Sequence, residues 1–184
     1  MNNKKLVILM EIAIMAGLSF ILGKLAFSLP QGGSISFGML PIVLVAFRHG
    51  LFAGMATGLL EGVISAMMGG YILHWLQAIL DFGVASTVIG LAAVVRRPLL
   101  NALHDGNKTV ITGYMTTGVL LGATLSLIAH VLSGVVFFSE YAGDQNPWIY
   151  SIIYNVTHMV PSAILTIIVG SLLFATAPRL LKVA

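Results

Sequence analysis

Six apolar runs fill this chain, at about residues 6–27, 35–47, 51–68, 72–95, 110–138 and 149–176, with only short polar breaks between them. In a bilayer each run must satisfy its own backbone hydrogen bonds, which makes a helix its natural form. Only 8% of the 184 residues are charged, roughly a third of the share usual in soluble domains. The expected fold class is therefore all-α: an integral membrane bundle of six transmembrane helices, forming one membrane-embedded domain over residues 1–184. The second run is short for a full span of ~17–25 residues, so it is expected to be tilted or only partly embedded. Residues 1–29 have the outline of a signal peptide, but Glu11 interrupts the apolar stretch early. They read as a retained first helix.

Charge placement sets the topology. Lys4, Lys5, Arg48, Arg96, Arg97, Lys108, Arg179 and Lys182 fall on one side of the alternating runs and only Lys24 on the other, eight against one. That asymmetry puts both termini in the cytoplasm of a multi-pass cell-membrane protein. It also requires the short second run to count as a crossing. The outside loops are then 28–36, 69–71 and 139–148, and "NALHDGNK" is a cytoplasmic loop turning at Asp105-Gly106. The pI near 9.4 does not imply nucleic acid, because the basic residues form no stripe. With no cysteine, disulfides and thiolate metal sites are excluded. No cofactor or metal is expected.

Polar residues inside the apolar runs are costly, so each needs a reason. Run three carries Gly50, Gly54, Gly58 and Gly62 four apart, a ladder best read as close helix packing. Glu61 lies beside it. Run four places His74, Gln77 and Asp81 on one helical face. Run five aligns Ser126, His130 and Ser133, with Gly134 alongside. Run six aligns Ser151, Asn155, His158 and Ser162, flanked by Tyr150 and Tyr154. In the predicted topology Glu61, Asp81, His130 and Asn155 all lie in the outer half of the membrane, Glu61 about 12 Å down. The inner halves of runs four and five are almost wholly apolar or small. The expected site is a polar pocket open to the outside and closed below, not a continuous channel.

Tyr71, Trp75, Phe82, Phe138, Trp148 and Tyr150 surround this cluster. They fit either an interfacial aromatic belt or the walls of a site. Carboxylates with aromatic faces make a receptor for a flat organic cation. Asp81 and Glu61 have a second reading, as structural partners of His130 or as buried protonated acids. A hydrolase built on His130 and Ser133 has little support, because no G-x-S-x-G elbow and no H-E-x-x-H motif occurs. A stand-alone secondary transporter would want broken helices and ionisable groups at the midplane.

The ordered segments "EIAIMAGLSFIL", "LPQGGSIS", "MLPIVLVAFRHG", "GGYILHWLQAILDFGVA", "HVLSGVVFFSEYA" and "YSIIYN" resemble the thiamine-specific S-components of energy-coupling factor vitamin transporters, the ThiT or YuaJ-like family. The resemblance implies a six-helix vitamin-capture subunit with no catalytic activity. It would bind thiamine from outside and dock on a transmembrane coupling protein driven by two ATPase subunits. It also implies that Asp81 meets the charged ligand, that His130, Gly134, Phe138, Tyr150, Asn155 and Tyr71 line the ligand, and that Ala13 and Gly17 contact the coupling protein. Glu61, Phe82 and Ser151 join the candidate ligand-binding set from the residue reading. The chain departs from the family where Glu61 stands for a frequent aromatic, Phe82 for a common Tyr, and Phe138 for a Trp. These departures keep a related vitamin or precursor (hydroxymethylpyrimidine, a thiazole, pyridoxine) open as the substrate. The chain has no G-x-x-x-x-G-K-[ST] loop, so any ATP use belongs to a partner.

Overall fold

The computed structural model describes residues 3–30 and 33–181. Lys182 of the charge pattern, and Gln31 and Gly32 of the first outside loop, lie outside the described residues. The chain forms an all-α membrane bundle, and its count of six helical rods matches the six apolar runs. These are α1 (Asn3–Lys24), α2 (Met39–His49), α3 (Leu51–Met67), α4 (Trp75–His104), α5 (Lys108–Phe137) and α6 (Pro147–Thr176). Four of them, α1, α4, α5 and α6, are long and apolar enough to cross a membrane. The link from α1 to α2 holds a two-residue antiparallel ladder, β1 (Phe27–Ser28) with β2 (Ser34–Ile35).

The short second run is a real helix, and its burial explains how. At 11 residues, α2 rises only ~16 Å, yet Leu40 through Phe47 are all buried. It is walled by α1, α3 and α4, so protein rather than lipid surrounds it. Gly50 alone joins α2 to α3, at φ +94°, a left-handed conformation that a side chain would strain. Arg96 caps this joint: its Nε donates to the Phe47 carbonyl and its Nη2 to the Arg48 carbonyl, both at 2.9 Å. Helix C-termini leave such carbonyls without intrahelical donors.

Several boundaries differ from the sequence reading. Helix α2 begins at Met39 because Ser34 and Ile35 are in the β ladder. Helix α4 begins at Trp75, where the His74 side chain accepts from Leu76 N at 3.2 Å as the N-cap. It also runs on to His104, so most of the expected "NALHDGNK" loop is helical. The turn is only Asp105–Asn107, and Asn107 caps α5 through Val110 N.

The glycine ladder packs α3 against α4. A Cβ on Gly54 would strike Ala46 and Gly90, one on Gly58 the Ser86 carbonyl, and one on Gly62 the Phe82 carbonyl. The backbones are close enough that only hydrogen fits. Gly50 is not part of this seam, since a Cβ there meets only the Arg96 Cδ at 3.8 Å. Opposite Gly62, α4 loosens into a π-turn over Ile79–Val84, a form often found at functional sites.

The apolar core sits toward the end of the bundle holding the α2–α3 joint. Phe47, Ile89, Leu99, Met115, Val119 and Phe174 belong to one buried cluster. Phe47 and Phe174 meet edge to face with centroids 6.0 Å apart. At this end Glu11 of α1 pairs with Arg48 at 2.9 Å and His49 at 2.6 Å. Elsewhere α1 is loosely held: it buries only Ala16 and Ser19.

Candidate ligand-binding site

At the other end the helices part around a cavity of about 460 Å³, within the size range of small-molecule sites. Asp81 is central to it. The π-turn carries the residue, and three donors hold its carboxylate. His130 Nδ1 lies 3.0 Å from Oδ1; Ser133 Oγ and Gln77 Nε2 donate to Oδ2 at 2.9 and 2.7 Å. Its side chain is 15% exposed. A carboxylate so placed in a bilayer is costly unless solvated by fixed donors, and these donors come from both α4 and α5. The Ser133 hydroxyl hydrogen is committed to the acid. It is not arranged as a nucleophile toward His130.

Two aromatic groups line the cavity. Along α6, Tyr150 stacks on Tyr154 at 6.2 Å, and Tyr154 meets His158 edge-on at 5.4 Å. At the mouth, Phe138 packs against Tyr71 at 6.3 Å and Tyr141 at 6.0 Å, and the two tyrosine hydroxyls lie 3.5 Å apart. This contact with Tyr71 is the main cause of a raised Tyr141 pKa, so the phenol stays neutral through the physiological range. Phe82 completes the lining beneath the 68–74 turn, its ring against Gly70.

Helices α5 and α6 are clasped at the cavity wall. Ser151 Oγ donates to the Val131 carbonyl at 3.0 Å, and Asn155 Nδ2 donates to the Ser151 carbonyl at 2.9 Å. Gly134 lies directly against the Ser151 side chain, where a Cβ would collide with its oxygen. The α1–α2 link is tied to α6 as well, since Ser36 N donates to Ser162 Oγ at 3.1 Å.

Asp81, His130, Asn155, Tyr150, Tyr71, Phe82, Gly134, Phe138 and Ser151 therefore all line one cavity. Glu61 does not. Its carboxylate accepts from Ser65, one turn along its own helix, at 2.6 Å. The neighbouring Gly62 faces α4, and one residue along a helix is a rotation of about 100°, which turns Glu61 away from the cavity. Gln77, Tyr141, Tyr154 and His158 also line the cavity, although none stood in the candidate set. The spacing Tyr150, Tyr154, His158 is i, i+4, i+8, a single stripe that marks the last two. Tyr141 follows α5 in a short 3-10 turn and carries no periodic signal. Among the described residues no cluster of three or more metal-ligating side chains occurs.

Apolar helices around a polar, aromatic-walled cavity define a multi-pass membrane protein that houses a small organic molecule. More narrowly, the chain belongs to the thiamine transporter protein family (Thia_YuaJ), whose model matches residues 9–182. This is a family of transporters, not enzymes. The chain is 43% identical to the thiamine transporter ThiT of Bacillus subtilis, covering 98% of this chain and 97% of that one. It is 32% identical to the ThiT of Lacticaseibacillus paracasei, over 97% and 92% of the two chains. A solved structure of ThiT from Listeria monocytogenes superposes with a TM-score of 0.92 at 28% identity, covering 98% of this chain and 100% of that one.

Proposed function

We propose that this chain is the substrate-capture subunit, or S-component, of an energy-coupling factor transporter, and that it binds thiamine in the Asp81 cavity. The observation that carries this reading is a carboxylate held by three side-chain hydrogen bonds at the edge of a cavity walled by aromatic rings. Thiamine is a permanent cation with two flat rings. Asp81 supplies the counter-charge; Tyr150, Tyr154, Phe138 and Tyr71 offer ring faces for stacking and cation–π contact. His130 and Asn155 set the orientation. The Asn155 amide nitrogen is already spent on Ser151, so its oxygen is the group left for a ligand N–H. Relatives named thiamine transporters support the choice of ligand.

The eight-to-one charge asymmetry supports an outward-facing cavity with both termini cytoplasmic. Energy would come from a transmembrane coupling protein and its two ATPases. The surface for docking is α1: Ala13 is exposed, and a Cβ on Gly17 would meet nothing within 4 Å. Such a small-residue face lets another helix approach closely.

Calorimetric titration of the detergent-solubilised protein with thiamine tests the ligand, with hydroxymethylpyrimidine, thiazole and pyridoxine beside it. Calorimetry is preferable to fluorescence because neither Trp75 nor Trp148 lines the cavity. Saturable thiamine binding that weakens in Asp81→Asn is the expected result. Binding of a fragment alone would replace the substrate. Co-purification of ATPase subunits tests the coupling. Thiamine uptake by the chain alone in liposomes would instead make it a secondary transporter.

A further inference from the structure

Gln77 is only 1% exposed, one of the few polar side chains sealed inside the protein. Its amide is fully occupied. Oε1 accepts from Leu73 N at 3.1 Å; Nε2 donates to the Tyr71 carbonyl at 3.2 Å and to Asp81 Oδ2 at 2.7 Å. Both amide hydrogens and the oxygen are used. Two of these bonds hold the non-helical backbone that carries the Tyr71 ring at the cavity mouth. The third holds the carboxylate inside.

We infer that Gln77 is a positioning residue that straps the Tyr71–Leu73 segment at the mouth to the Asp81 carboxylate, so that holding the ligand's charge and closing the mouth are one event. This rests on the thiamine-binding reading above. The bond from Gln77 Nε2 to Asp81 Oδ2 is the shortest of the three, and a hydrogen bond to a carboxylate is the stronger kind. The strap therefore ties the mouth segment to the same carboxylate that meets the ligand's charge. Linkage runs both ways: a segment held in place by Gln77 slows the ligand's departure. Among the described residues no other side chain spans these three groups. Asn is one methylene shorter and cannot reach both ends.

The test is thiamine binding and release in Gln77→Leu, which keeps the volume but removes every polar contact, and in Gln77→Glu, which keeps the acceptor for Leu73 N but sets an acid against Asp81. Gln77→Leu is expected to raise the Kd by about tenfold, mainly through faster dissociation. In an Asp81→Asn background the same change should cost less than about twofold, because coupled residues are not additive. Amide exchange at Leu73 should speed up in Gln77→Leu and stay protected in Gln77→Glu. Wild-type dissociation in Gln77→Leu, or an equal loss in both backgrounds, overturns the strap. If the wild-type protein binds no thiamine, the ligand reading fails; Leu73 exchange without ligand still decides the strap, and equal rates in wild type and Gln77→Leu overturn it.

Discussion

The two ends of this bundle solve opposite problems with the same helices. The end holding the α2–α3 joint is built on a closely packed apolar core. Phe47, Phe174, Leu99 and Met115 interlock, and Arg96 covers the last carbonyls of α2. At the cavity end the helices are held apart by polar contacts that reach across them. Asp81 bridges α4 to α5, and Ser151 bridges α6 to α5. Close packing makes one end a frame; directional hydrogen bonds keep the other open without letting it collapse. The π-turn over Ile79–Val84 marks the change from one regime to the other.

If that division holds, substitutions at the two ends should separate stability from affinity. Phe47→Ala should produce the largest effect, a loss of about 3 kcal/mol in stability, the low end for such cavities because lipid rather than water is the reference for a membrane helix. Thermal unfolding in detergent would register it, while thiamine affinity in protein that stays folded should hold within about twofold. A matching loss of affinity would dissolve the distinction. Asp81→Asn should do the reverse, weakening thiamine binding at least about tenfold by calorimetry, the cost of one charge-assisted contact, with little change in melting temperature. Gly134→Ala comes next. Its Cβ collides with the Ser151 hydroxyl, which must leave the Val131 carbonyl or carry α6 outward, costing ~1 kcal/mol, read as a several-fold weaker Kd. Smallest is Glu11→Gln, which removes the partly exposed pair with Arg48. It should lower stability by no more than about 1 kcal/mol, less at high salt, and leave binding unchanged.

The same division decides how much could be read from the chain alone. Apolar run length announces the rods, and period-3.6 spacing put Asp81, His130 and Asn155 on facing stripes. The core end is legible because burial in a bundle follows composition. The cavity end is legible only where a stripe is regular. Glu61 misled because a carboxylate's presence in an apolar run does not say which way it faces. That direction was set by Gly62, whose contact with the Phe82 carbonyl belongs to a different helix. Tyr141 escaped because it sits outside any helix period. The role of Gln77 was hidden for another reason: its partners at Tyr71 and Leu73 are backbone atoms, and backbone acceptors leave no residue signature. The short α2 is legible through charge alternation rather than through length, since its burial by neighbours is a tertiary fact.

The seam of Gly54, Gly58 and Gly62 has a consequence for how such a protein can change over generations. Any residue other than glycine adds at least a side-chain carbon, and at these positions that carbon meets Ala46 or the backbone of residues 82 and 86. The seam is thus closed to mutational drift. Phe82 and Phe138 border the cavity, where one ring can be exchanged for another against side chains rather than against a close-packed backbone. A lineage built on this plan can explore new ligands one wall residue at a time, while the joint between α3 and α4 admits no intermediate steps.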